Sequence, residues 1–216
     1  IRPRRREVDE ADVVSPVDIF KAAAKVGITD FMLPEEYGGG GMSDVFTQCL
    51  VQEQLCWGDP GIGNFVCSNG YFSDPLLALG TPEQKEEWLR PLTGPDPLIT
   101  ALATTEPGSG SDSASITTRA ERVDGGYRLH GQKAWISNAG LAEQYVVFAK
   151  TDPAQAGRGI SAFMVDKEQP GAVVDELSDK MGIRGTQTSN LKVDLVVPDS
   201  ARIGELHRAL RLALQT

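Results

Sequence analysis

Apolar and polar residues follow two different periodicities along the chain, and the change falls near residue 97. Before it, apolar residues recur at helical spacing and follow residue types that cap helices. Three such helices are predicted: Ser15 and Pro16 to Gly27, Ser43 to Trp57, and Thr81, with Gln84 in the capping-box position, to just before Pro91. The first 97 residues are therefore predicted to be helical.

Short runs rich in β-branched and aromatic residues, separated by turn residues, fill the chain after residue 97. Seven strands are predicted, in LITALAT, SITTRAERV, YRLHGQKAWIS, YVVFAKT, ISAFMVDK, AVVDEL and LKVDLVV. Asp124 to Gly126 predicts a hairpin between the second and third of them. Because no helix-length segment separates the strands, an antiparallel barrel or sandwich is expected instead of a parallel βαβ sheet.

Composition then excludes several classes of function. The net charge of −9 disfavours nucleic acid as a partner, because phosphate binding needs a basic surface. No apolar run is long enough for a membrane span, and no signal-peptide pattern is present. His130 and His207 are the only histidines, so no metal site is predicted. The three cysteines are an odd number without C-x-x-C spacing, which favours a reducing compartment.

Two polar segments are candidates for chemistry. TTEPGSGSD, from Thr104 to Asp112, follows a predicted strand but lacks the third glycine and the helix of a dinucleotide fingerprint. GQKAWISNAG, from Gly131 to Gly140, places Trp135 in a predicted strand just before Ser137. Taken separately, the segments are explained by a surface turn and a core tryptophan. The alternative is that they form two walls around a planar cofactor, with backbone amides on one side and a stacked ring on the other.

The order of three segments resembles the flavin-dependent acyl-CoA dehydrogenases: TTEPGSGSD, then GQKAWISNAG, then KMGIRGTQTSNLKVDLVVP. LPEEYGGGGMSD and LGTPEQKEEWLRPLTG are similar to the helical amino-terminal part of that family, so the resemblance covers nearly the whole chain. It implies an α+β multidomain fold. Residues 1–97 would form a helical amino-terminal domain and residues 98–204 an antiparallel β-barrel middle domain that binds flavin and acyl-CoA. Residues 205–216 would begin the first helix of a truncated carboxy-terminal helical bundle.

The resemblance also implies FAD as the cofactor and assigns residues to it. The implied FAD contacts are Leu102, Thr104, Thr105, Gly110 and Ser111 on one wall and Trp135, Ile136 and Ser137 on the other. Trp135 would pack on the flavin ring, and the Ser137 hydroxyl would hydrogen-bond flavin N5, where many relatives carry threonine. Ser111 would also contact the acyl-CoA substrate.

The implied reaction is the α,β-dehydrogenation of an acyl-CoA thioester to the trans-2-enoyl-CoA. The hydride would pass to flavin N5 and the electrons on to an electron-transfer flavoprotein, while a carboxylate base removes the α-proton. In the family this base is a glutamate of the carboxy-terminal domain, expected beyond residue 216. No catalytic residue is therefore assigned within the sequence, and a structural role is expected for Glu106.

The end of the sequence departs from the family pattern. GELHRAL stands where relatives usually carry GE-x-G-x-G, and the sequence stops within the helical pattern LHRALRLALQT, so a truncated chain is expected. The alternative function is a non-catalytic flavin- and acyl-CoA-binding subunit that needs a partner chain for its base. The resemblance further implies a homotetramer that acts in fatty-acid β-oxidation. Its location would be the bacterial cytoplasm or, in a eukaryote, the mitochondrial matrix.

Overall fold

The computed structural model describes residues 1–11, 16–175, 178–207 and 209–210. Helices come first: α1 (Arg5–Glu10), α2 (Val17–Ala24), α3 (Val45–Gly58), α4 (Pro60–Val66), α5 (Asn69–Leu79) and α6 (Pro82–Leu89). Strands follow: β1 (Thr100–Ala103), β2 (Arg119–Val123), β3 (Gly126–Ser137), β4 (Gln144–Lys150), β5 (Ile160–Asp166), β6 (Ala172–Val174), β7 (Thr188–Pro198) and β8 (Arg202–Ile203). The predicted change from helices to strands is confirmed, while the domain boundary at residue 97 remains a prediction.

The start of α6 has the capping box that the sequence predicts. The backbone amide of Gln84 donates to the Thr81 hydroxyl at 3.3 Å, and the backbone amide of Thr81 donates to the side-chain oxygen of Gln84 at 3.1 Å. Both amides would otherwise have no partner in the first turn. For α2, Pro16 is the residue before the first helical position, and the predicted cap Ser15 lies outside the described residues.

The start of α3 corrects a prediction. Ser43 does not cap this helix; Asp44 is the N-cap, and its carboxylate accepts a hydrogen bond from the Thr47 amide at 2.8 Å. The Ser43 amide instead donates to the Gly41 carbonyl at 3.0 Å, so Ser43 belongs to the preceding turn. The helix therefore begins one residue later than the position of Ser43 implies.

The strands form one sheet in the order β6-β7-β3-β2-β4-β5-β8, with β1 joined to β4. Most neighbours are antiparallel, including the predicted hairpin of β2 and β3, but β1 runs parallel to β4 from Thr100 opposite Gln144 to Ala103 opposite Val147. The expected fold class, helices followed by a sheet domain, is confirmed; the sheet itself is mixed, where an antiparallel barrel or sandwich was expected. Parallel pairing needs a long crossover, and the chain supplies one by forming β2 and β3 before β4.

The largest core cluster lies between the sheet and helices α5 and α6. Among its fully buried side chains are Phe72, Leu76, Leu89, Tyr145, Phe148 and Phe163. Two hydrogen bonds tie α5 to β1: Asn69 Nδ2 donates to the Leu98 carbonyl, and the Thr100 hydroxyl donates to Asn69 Oδ1, both at 2.8 Å. This docking brings the amino end of α5 beside β1.

Three further expectations concern the end of the chain and its environment. The helix expected over residues 205–216 falls largely on residues 208 and 211–216, which lie outside the described residues. Within the described ranges, no helix combines the length and the apolar composition that a membrane crossing requires. Cys49, Cys56 and Cys67 are free thiols.

Replacing the α3 cap tests the corrected helix start. Asp44→Ala is expected to lower the free energy of unfolding by about 1 kcal/mol, because the Thr47 amide loses its acceptor. Ser43→Ala is the matched control and is expected to change it by less than about 0.5 kcal/mol. Urea denaturation followed by circular dichroism measures both, and a larger loss for Ser43→Ala would contradict this assignment of the cap.

Candidate functional site

A cavity of about 210 Å³ lies between the amino end of α5, the segment from β1 onward and the end of β3. Its lining residues are Ser68, Tyr71, Thr100, Leu102, Thr104, Thr105, Trp135, Ile136, Ser137 and Asn138. Six of them are residues to which the family resemblance assigned a cofactor contact: Leu102, Thr104, Thr105, Trp135, Ile136 and Ser137. The fold therefore brings the two polar segments together at one cavity.

A β-bulge interrupts β3 where it reaches this cavity. Lys133 is opposite Leu191 of β7, but Ile136 is opposite Ser189, so β3 has one residue more than β7 over this interval. Trp135 lies within the interval and has a φ of 60°. A positive φ is unusual for a bulky residue and is associated with functional sites.

The bulge reverses which side chains of β3 face the core. Tyr127 and Leu129 are buried, and a regular strand would place Trp135 on their face, because side chains alternate with a period of two. Beyond the bulge Ile136 is buried instead, while Trp135 is 65% exposed and Ser137 is also exposed. The extra residue is thus the reason that Trp135 and Ser137 line the cavity.

A buried ion pair lies behind the cavity wall. Lys133 Nζ is 2.8 Å from Glu106 Oε1, and the two side chains are 0% and 3% exposed. Lys133 Nζ also donates to the Thr104 carbonyl at 3.1 Å. Glu106 accepts hydrogen bonds from the amide and the hydroxyl of Thr117 and, at 2.9 Å, from the amide of Thr118. Both charges are therefore hydrogen-bonded as well as paired.

The surroundings of Glu106 determine its charge state. Burial alone raises the pKa of this carboxyl, but the Lys133 ammonium and the hydrogen bonds from Lys133, Thr118 and Thr117 outweigh burial and lower the pKa to about 2. Burial also lowers the pKa of Lys133, by more than Glu106 raises it. A general base works best with a pKa near the operating pH, so Glu106 is unsuited to that role. The contacts agree with the structural role expected for it.

The segment after Glu106 is a tight turn on the surface. Glu106 and Ser109 exchange backbone hydrogen bonds of 2.9 and 3.1 Å across Pro107 and Gly108. Gly110 and Ser111 follow on the exposed side and do not line the cavity. The cofactor contact of Gly110 and the cofactor and substrate contacts of Ser111 stay predictions.

Polar groups without partners indicate that the cavity fits a ligand with a polar edge. Among the described residues, the buried Thr104 hydroxyl and both amide atoms of Asn138 have no hydrogen-bond partner. Asn138 is 1% exposed and has a φ of 63°. Buried polar groups are normally hydrogen-bonded. Together with Leu102, Ile136 and the ring of Trp135, these groups form a lining with apolar faces and a hydrogen-bonding rim, which suits a planar heterocycle such as a flavin.

Four lining residues were missed by the sequence analysis: Ser68, Tyr71, Thr100 and Asn138. Ser68 and Tyr71 come from the region of α5, and no local pattern reveals that this helix docks beside β1. Asn138 directly follows Ser137 in a segment that was already singled out. Asparagine tolerates left-handed backbone, and this was the signal that could have marked it.

Other regions of the described chain offer less chemistry. No group of three or more His, Cys, Asp or Glu side chains among the described residues could hold a metal ion. A wider depression of about 730 Å³ is lined by Arg2, Pro3, Arg5 and Trp57, away from both polar segments. The cavity at β3 combines the exposed ring of Trp135 with the hydroxyl residues of both polar segments.

Comparison with protein families identifies the class to which this fold and cavity belong. The family description "Acyl-CoA dehydrogenase, N-terminal domain" matches residues 1–95, and "Acyl-CoA dehydrogenase, middle domain" matches residues 101–196. The two matches follow each other in the same order as the helices and the strands. The chain belongs to the acyl-CoA dehydrogenase family.

Individual relatives support the same family. The human (Homo sapiens) mitochondrial short-chain specific acyl-CoA dehydrogenase is 35% identical over 216 residues, which are 99% of this chain and 52% of the relative. A chain solved in work on the electron transferring flavoprotein of Acidaminococcus fermentans has a TM-score of 0.93 and 33% identity, over 100% of this chain and 56% of that chain. A glutaryl-CoA dehydrogenase from Mycobacterium smegmatis in complex with FADH2 has a TM-score of 0.86 and 31% identity, over 99% of this chain and 53% of that chain. The chain spans about half the length of the curated relatives it matches.

The ion pair behind the wall predicts a pH dependence of stability. Because the pKa of Glu106 is lowered from 4.5 to about 2 in the folded protein, its stabilising contribution is present above pH 4.5 and is lost as the pH falls toward 2. The unfolding free energy of the wild type should therefore fall more steeply below pH 4.5 than that of Glu106→Gln. At neutral pH, Glu106→Gln should itself cost about 3 kcal/mol or more, since Lys133 stays buried without its counter-charge.

Urea denaturation at a series of pH values measures the slope of the unfolding free energy against pH for each variant. Asp194→Asn provides the control, because Asp194 pairs with Arg128 at 2.9 Å on the surface, where ion pairs contribute little. Its slope should follow that of the wild type. Equal slopes for Glu106→Gln and the wild type would contradict the assignment of this pH dependence to Glu106.

Proposed function

We propose that this chain forms the flavin- and acyl-CoA-binding part of an FAD-dependent acyl-CoA dehydrogenase. The proposed reaction is the α,β-dehydrogenation of an acyl-CoA thioester to the trans-2-enoyl-CoA. The observation that carries the proposal is the cavity in which both polar segments meet. Family membership supports it, as do the acyl-CoA substrate named for the human relative and the FADH2 named for the mycobacterial one.

In this proposal the residues of the cavity hold FAD. Bound FAD would supply the two-electron acceptor that removal of a β-hydride requires. Trp135 would pack its exposed ring against the flat face of the ligand, and Leu102 and Ile136 would exclude water from it. The hydroxyls of Thr104 and Ser137 would hydrogen-bond the polar rim. Fixed donors of this kind need no reorganisation when charge develops on the ligand.

Removal of the α-proton needs a carboxylate that the cavity does not offer. Among the described residues, those that line the cavity include no carboxylate, and Glu106 behind the wall is already bound by Lys133 and Thr117. We therefore propose that the base is a glutamate from outside the residues of this sequence, as expected from the family. Half of the length of the human relative lies outside the matched part, which leaves room for such a residue in that protein.

The lack of a carboxylate among the described lining residues also supports a second candidate function. The chain would then be a non-catalytic flavin- and acyl-CoA-binding subunit whose base comes from a partner chain. The two candidates differ in whether a single polypeptide completes the reaction.

The partners and the setting of the protein are part of the proposal. The electrons would pass to an electron-transfer flavoprotein, which the structural relative from Acidaminococcus fermentans supports. A homotetramer, a role in fatty-acid β-oxidation, and a location in the bacterial cytoplasm or the mitochondrial matrix follow the family and the mitochondrial relatives. We also propose domains at residues 1–97 and 98–204, and the start of a third at 205–216.

Exchange of one tryptophan tests the binding of FAD. Trp135→Ala is expected to raise the dissociation constant of FAD at least about tenfold, a loss of about 1.4 kcal/mol, because the stacked face is removed. Quenching of flavin fluorescence measures the constant. Trp57→Ala is the matched control, since Trp57 is 72% exposed on α3 and does not line the cavity. Equal effects of the two substitutions would argue against the cavity as the FAD site.

Reduction of the bound flavin tests the reaction. With the protein as purified from its source, addition of a saturated short-chain acyl-CoA without oxygen is expected to bleach the visible flavin absorbance. Bleaching by a single polypeptide supports the complete dehydrogenase. Bleaching that requires an added partner chain supports the second candidate, and no bleaching by any saturated acyl-CoA contradicts both the reaction and its assignment to this family's substrates.

A further inference from the structure

The buried pair of Lys133 and Glu106 requires an explanation other than stability. Withdrawing two charges from water costs about as much as their attraction returns, and an apolar pair of similar size is often as stable or more so. Buried ion pairs are better understood in some proteins as devices that select one arrangement of the chain over another. The surroundings of this pair indicate which arrangement is selected.

The pair joins the two walls of the cavity without lining it. Lys133 precedes the bulge of β3, and its Nζ binds the Thr104 carbonyl and Glu106 on the opposite wall. The next residue continues the connection, because the Ala134 amide donates to the Thr105 carbonyl at 2.8 Å. Consecutive residues of β3 thus hold consecutive carbonyls of the other wall.

The pair also fixes where the bulge begins. If the extra residue moved toward the amino end of β3, Lys133 would turn to the opposite face and Glu106 would remain buried without a counter-charge. Glu106 cannot follow it, because Thr117 and Thr118 hold its carboxylate from the other side. The pair therefore prevents the bulge from moving toward the amino end of β3, and Trp135 lies within the bulge, two residues after Lys133.

We propose that Lys133 and Glu106 are a positioning pair for the cofactor cavity, which holds the bulge of β3 and the Thr104–Thr105 wall in the arrangement that binds the flavin. The identity of the ligand rests on the proposed function. Neither residue touches the ligand in this proposal; each acts through the backbone of the wall to which it is attached.

Three variants separate positioning from stability. Lys133→Met keeps an unbranched side chain, slightly shorter than that of lysine, without its charge, and Glu106→Gln keeps the shape of the glutamate side chain without its charge. The double variant Lys133→Met/Glu106→Leu replaces the ion pair by an apolar pair. Lys192→Met is the matched control, because Lys192 on the adjacent strand β7 pairs with Asp175 at 2.9 Å but is 54% exposed.

The dissociation constant of FAD is measured for each variant below its own unfolding temperature. Both single variants are expected to bind FAD at least about tenfold more weakly, and Lys192→Met within about twofold of the wild type. The double variant is expected to regain the unfolding temperature of the wild type but not its FAD affinity. Recovery of both properties, or single variants that bind like the wild type, would overturn the positioning role.

Failure of the proposed function has a different signature, namely a wild type that does not bind FAD. The positioning role is then measured on the protein alone, in a Trp57→Phe background. Of the two remaining tryptophans, Trp88 is 7% exposed and Trp135 65%, so acrylamide quenches mainly Trp135. Lys133→Met should change this quenching and the emission maximum, and Lys192→Met should change neither. Identical quenching in both variants would refute the positioning role whatever the ligand is.

Discussion

The reversal of side-chain alternation within β3 is the constraint on which the cavity depends. The first half of the strand packs Tyr127 and Leu129 into the core, and its end must keep Ile136 in the core while it exposes Trp135. A regular strand cannot do both, because residues two apart share a face. One extra residue between Lys133 and Ile136 resolves the conflict. The residue with the unusual backbone, Trp135 with a φ of 60°, lies within this interval.

Short-range signals in the sequence predicted the ends of helices well, but they failed where two neighbouring residues were equally suitable as the helix cap. The capping box at Thr81 needs only a few consecutive residues, and it is present as predicted. Ser43 and Asp44 are both good caps, and the turn formed by the preceding glycines decided in favour of Asp44. The two-residue strand β8 was missed because so short a segment has no periodicity to detect.

The candidate site was predictable to the extent that it lies in two continuous segments. The two polar segments were recognised as candidates from their residue types, namely the hydroxyls at Thr104 and Thr105 and the group Trp135 to Ser137. The family resemblance then joined them into one site. The exposure of the Trp135 side chain could not be predicted from the strand pattern, because regular alternation counted from Tyr127 places its ring in the core. Ser68 and Tyr71 were missed for another reason: their place at the cavity results from tertiary docking of α5 against β1. The parallel pairing of β1 with β4 is non-local in the same way.

The docking of α5 adds a third side to the cavity, beside the wall from β3 and the Thr104–Thr105 wall. The wall from β3 is held by its register with β7 and by the bulge and, in our proposal, by the pair of Lys133 and Glu106. Helix α5 packs on the core through Phe72 and Leu76, while Tyr71 is 42% exposed and lines the cavity from the surface of the helix. Tyr71 belongs neither to the core cluster nor to β3, so we expect its exchange to change the lining of the cavity more than the core or the bulge. Substitutions on α5 would therefore change the range of ligand sizes that the cavity accepts, while the β3 wall and the Thr104–Thr105 wall keep their residues.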